Sequence, residues 1–83
     1  MLNMDVQSVL ISRKYLSEKK AKEWIVKNGY KLKKIDITKN LYRFRQKPPS
    51  HFDERTFRIK VIKGGDDRKI MLVVGKMKKK NTY

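Results

Sequence analysis

The chain has no cysteine. Disulfides and thiolate metal sites are excluded, and cysteine usage says nothing about redox compartment. One histidine and eight acidic residues are scattered over 83 positions, which offers little to a metal site of ordinary ligand spacing. No cofactor is expected. No apolar run approaches the ~20 residues needed to cross a bilayer. The opening Met1-Leu2-Asn3-Met4-Asp5 also lacks the basic start and long apolar core of a secretory signal. No membrane partner is expected. Proline occurs twice and glycine four times, so each one reads as a particular break in the chain. The length admits one small domain with a limited core.

What the chain does have is positive charge. Twenty-three Lys and Arg against eight Asp and Glu leave +15, with a pI near 10.3. Such an excess opposes compaction by self-repulsion and favours polyanionic partners. The functional reading is a DNA or RNA backbone, or an acidic protein surface. The plainer reading is solubility in a lysine-rich proteome. Apolar residues make up 39% and aromatics 10%, above the disordered class. A folded domain with basic, frayed ends follows: a core of about 6–75 and a basic tail over 76–83.

Val6 to Ser12 is a β-branched run and predicts a first strand, with Val9-Leu10-Ile11 apolar on both faces as an interior strand requires. Ser17 is an N-cap candidate after Leu16, and Asn28-Gly29 a stop. Between them Ala21, Trp24 and Ile25 share one helical face and Val26 falls away from it. Trp24 is the expected core anchor. Tyr30 to Ile37 predicts a strand whose alternation changes phase near Lys34. Thr38-Lys39-Asn40 is of hairpin length, and Leu41 to Lys47 returns as a strand ended by Pro48-Pro49. Arg55 to Lys63 predicts the next strand, with Phe57, Ile59 and Val61 inward. Gly64-Gly65-Asp66-Asp67 is a turn, and Arg68 to Met77 the last strand. Gly75 marks a bend or a close backbone approach. The order β-α-β-β-β-β gives an α+β fold: a single-layer antiparallel sheet of about five strands with one helix packed on one face. The short connections favour a meander after the helix.

Within Leu41 to Lys47 the aromatic and cationic residues alternate. If Tyr42 and Phe44 lie under the helix, Arg43 and Arg45 project from the other face, about 7 Å apart. Lys47 follows them, and Arg58 and Lys60 of a neighbouring strand are expected to extend the patch. Lys19, Lys22 and Lys27 on the helix form a second basic region with Lys31, Lys33 and Lys34. No base-reading side chains accompany it, so binding would be non-specific. The alternative for every one of these cations is an ordinary solvated strand or helix face.

Catalysis would have to use His51, with Arg45 or Lys47 stabilising a pentacovalent phosphorane. Nothing supplies a paired acid or base, so a non-enzymatic protein is expected.

Val6-Gln7-Ser8-Val9, Ala21-Lys22-Glu23-Trp24 with Asn28-Gly29-Tyr30, Tyr42-Arg43-Phe44-Arg45-Gln46 with Pro48 and Phe52, and Phe57-Arg58 form a set. It resembles a small domain of unknown function found in tailed phages and large DNA viruses. The resemblance implies a viral origin and a place in the virion or the host-cell interior. The Lys/Arg surface, taken with that origin, gives the expected function: non-specific binding of nucleic acid by a small basic viral protein. A structural part of a virion meeting acidic proteins is the alternative.

Overall fold

The computed structural model describes residues 4–78. Its elements are β1 (Met4–Ser12), α1 (Glu18–Lys27), β2 (Lys34–Ile37), β3 (Leu41–Arg45), β4 (Arg58–Lys63) and β5 (Ile70–Lys76), with short 3-10 turns at Pro49–His51, Glu54–Thr56 and Gly65–Asp67. The five strands form one antiparallel sheet, and the fold is the expected α+β type.

The strand order is β2-β3-β1-β5-β4. A meander would have set β4 against β3. Instead β1 lies between the two hairpins β2–β3 and β4–β5. This suits the residues of β1, since Val9 and Ile11 are fully buried on one face and Leu10 nearly so on the other. Only a central strand covered on both faces can bury such a run. Residues 46–57 carry the chain across the sheet from β3 to β4. Pro48 and Pro49, which cannot extend a ladder, start that crossing.

Ser17 caps α1, its side chain accepting from the Lys20 N–H at 3.4 Å. At the other end the Gly29 N–H donates to the Val26 carbonyl and the Tyr30 N–H to the Ile25 carbonyl. With Gly29 at φ +80°, this is a Schellman closure. Ala21 and Ile25 are the buried residues of the helix, and they pack on Val9, Ile11, Tyr42, Phe44, Ile70 and Leu72. Burying Ile25 alone contributes about 1.5–3 kcal/mol. Trp24 is half-buried rather than central. It stacks on Tyr30 at 5.9 Å between ring centroids, because the closure folds Tyr30 back beside it. Val26 is exposed, as its position on the helix dictates.

The far face of the sheet is partly covered. Phe52, from the crossing segment, is fully buried. Its ring and that of Phe57 lie 5.4 Å apart and sit over Gly75. Two backbone hydrogen bonds, Asp53 N–H to Lys76 O and Lys78 N–H to His51 O, form a Phe52–Met77 bridge that holds the segment to the end of β5. A basic tail starting at 76 is therefore corrected: Lys76 ends β5 and Lys78 is tied to His51. Residues 79–83 of that tail lie outside the described residues.

Two strand limits also differ. β2 starts at Lys34, because Tyr30 to Lys33 are spent on the helix closure and the return. β4 starts at Arg58, because Glu54–Thr56 forms a turn capped by Asp53. Ile59 is exposed, not inward.

Candidate nucleic-acid interface

Antiparallel partners project from the same face of a sheet. Tyr42 and Phe44 pair with Ile11 and Val9 and lie under the helix. Arg43 and Arg45 therefore lie on the far face. They differ in their surroundings.

Arg43 is half-buried. Its Nε donates to Ser8 Oγ and its Nη2 to Gln7 Oε1, both at 3.2 Å. Ser8 Oγ also donates to Gln7 Oε1, and Gln7 Nε2 donates to the Lys47 carbonyl at 3.0 Å. Gln7 and Ser8 are buried because β1 carries a bulge between Val6 and Ser8. The bulge turns Gln7 and Ser8 toward the far face while Val6 and Val9 stay under the helix. Much of Arg43 is thus committed to satisfying buried polar groups.

Arg45 faces outward toward the β2 edge. Its Nη2 is 4.0 Å from Asp36 Oδ2, at the limit of an ion pair. Its Nε–H is shut off from solvent and has no acceptor among the described residues. Lys34 is its ladder partner. Lys33, Lys34, Arg45, Gln46, Lys47 and Pro48 line one groove of about 480 Å³. Lys47 reaches Asp5 at 3.2 Å. Four cations thus converge on one groove, and among the described residues Asp36 and Asp5 are the carboxylates that pair with them.

The sequence alone groups Lys33 and Lys34 with the helix cations. The β2–β3 hairpin brings them to Arg45 instead. Counting back from the Thr38–Leu41 turn, closed by Thr38 N–H to Leu41 O, gives the register Ile37↔Tyr42 and Lys34↔Arg45. That count was the available signal.

The other expected site residues do not join this groove. β1 and β5 separate β4 from β3. Lys60 pairs with Leu72 and Arg58 with Val74, both on the helix side. The expected extension of the patch through Lys60 is therefore corrected. Arg58 also borders a second depression, lined by Gln7, Arg43, Pro49, Phe57, Ile59 and Val73. On the helix, Lys19 and Lys27 are exposed. Lys22 pairs with Glu18 at 2.9 Å, worth about 0.3–0.5 kcal/mol.

The described residues contain four ion pairs, engaging Lys22, Arg45, Lys47 and Arg55. Against twenty-three Lys and Arg, these leave the surface strongly positive. The Asp53 carboxylate is paired with Arg55 at 3.2 Å. The Arg55 side-chain hydrogen bond, and then its backbone N–H, hold that carboxyl below the usual range. His51 is exposed on the Pro49–His51 turn. Among the described residues no cluster of three or more His, Asp or Glu could hold a metal ion, and no helix is long and apolar enough to cross a membrane.

No protein-family model, curated protein or solved structure matches the chain. Its functional reading rests on fold, charge and site geometry.

Proposed function

We propose that this protein binds nucleic acid without sequence preference, through phosphate contacts made by its basic surface. The observation that carries this reading is the groove of Lys33, Lys34, Arg45 and Lys47. Like charges repel, so a fold that gathers four cations along one groove gains when a polyanion enters it. Arg45 offers a part-exposed guanidinium whose Nη2 is held only by Asp36 at 4.0 Å, and its planar fork matches phosphate geometry. Lysines supply point charges suited to phosphates. Asp36 and Asp5 hold Arg45 and Lys47 loosely, through exposed pairs of small worth, so exchange for phosphate costs little.

Contacts of this kind fix a nucleic acid by its backbone and carry no sequence information. The test is a mobility-shift series on mixed-sequence nucleic acid from low to high salt. Binding at low salt that weakens steeply as salt rises, with no preference among sequences, is the expected outcome. Failure to bind at low salt removes the proposal.

A further inference from the structure

We infer that the nucleic acid bound in this way is single-stranded, with a base seated in the depression beside the cationic groove. This rests on the nucleic-acid reading above and names the form of the ligand. Two surface features meet at Pro48-Pro49. On one side is the groove of Lys33, Lys34, Arg45 and Lys47, with Pro48 in its wall. On the other is the depression with Pro49, Phe57, Ile59 and Val73 as its apolar lining and Gln7, Arg43 and Arg58 as its polar members. The first suits phosphates and the second the flat apolar face of a base.

The two features are in step with a strand of nucleic acid. Arg43 belongs to the depression and Arg45 to the groove. They are two residues apart on β3, so about 7 Å separates them on one face. The bulge in β1 buries Gln7 and Ser8 beneath that face, where Arg43 bonds to both and borders the depression. Ile59 is 58% exposed at its rim, an apolar side chain set among cations. The Arg43 Nη1 takes no part in the bonds to Gln7 and Ser8. A paired base is stacked between neighbours and cannot enter such a depression, whereas an unpaired one can. A surface made only to follow a duplex backbone needs cations and no apolar seat.

The test compares fluorescence anisotropy for short mixed-sequence single strands of DNA and RNA, a duplex of the same length, and an abasic strand carrying the same phosphates. Single strands of at least one sugar type should bind about tenfold more tightly than the abasic strand, the effect of one seated base, and more tightly than the duplex. Replacing Phe57 risks the fold, because its ring packs on Phe52. Ile59→Ser lies at the exposed rim and should weaken single-strand binding several-fold while leaving the abasic strand unchanged. The abasic comparison needs no variant at all. Equal affinity for single strand, abasic strand and duplex overturns this inference and leaves the phosphate-binding proposal standing. Absence of binding to all of them overturns both.

Discussion

Gly75 lies against the ring of Phe57, so closely that a Cβ at position 75 would stand 2.8 Å from Phe57 Cδ1, with Phe52 Cδ2 at 3.0 Å on the same side. This contact brings the crossing segment down on the far face of β5. It explains a glycine within an otherwise apolar strand. Gly75→Ala must push both rings, and overpacking of this kind costs about 1–3 kcal/mol. Chemical denaturation should show that loss. A variant as stable as the parent would mean that the rings move freely.

Arg43 has a structural duty that Arg45 lacks. Arg43→Ala strips donors from Gln7 Oε1 and Ser8 Oγ, and leaving buried polar groups underbonded costs about 1–3 kcal/mol. Arg43→Lys keeps the charge but loses the forked geometry, so it should also lower stability. Paired denaturation curves for Arg43→Lys and Arg45→Lys check this. The former should fall well below the latter.

The helix closure depends on Gly29 at φ +80°. A Cβ there meets no neighbouring atom, so the cost of Gly29→Ala is conformational, about 1 kcal/mol. Gly29→Asn should cost less, since Asn tolerates the left-handed region better. Thermal melts of the two variants should rank in that order.

Asp53 caps the Glu54–Thr56 turn, and the Arg55 hydrogen bonds lower the pKa of its carboxyl from the ordinary 3.8. A group whose folded pKa is depressed adds stability above its unfolded pKa and loses it as pH falls through the folded one. The contribution is thus complete well above pH 3.8 and fades below it. Asp53→Asn should narrow the stability difference between neutral and strongly acidic pH. Curves of melting temperature against pH that are parallel for variant and parent would contradict this.

Features set by neighbouring residues were legible in the sequence. Ser17 and Asn28-Gly29 bound the helix where their backbone chemistry demands, and Val26 is exposed because of its angle round α1. Val9-Leu10-Ile11 signalled an interior strand, while Gly75, read as a bend or a close backbone approach, makes room for the side-chain rings of Phe57 and Phe52. Strand order was not legible, because pairing β1 with β3 and β5 joins residues distant in sequence and leaves no local mark. Placing Lys60 beside Arg43 failed for that reason. The bulge at Gln7 was hidden too, since nothing around Val6-Gln7-Ser8 announces that two successive polar residues will both be buried. The commitment of Arg43 follows from that bulge. Trp24 lost its expected central place to Ile25 because Tyr30, folded back by the helix closure, offers it a stacking partner at the edge.

If the Lys33–Lys34–Arg45–Lys47 groove takes the phosphate backbone, removing its lysines must flatten the salt dependence of binding. The most direct measurement is the dependence of log binding constant on log salt for the parent and for the double variant Lys33→Gln, Lys34→Gln. Both lysines are exposed, so the fold should survive. Each phosphate contact adds about 0.7 to the steepness for a single strand and about 0.9 for a duplex. The parent should show a steep negative slope, reduced by about 1.5 in the double variant. An unchanged slope and affinity would contradict it.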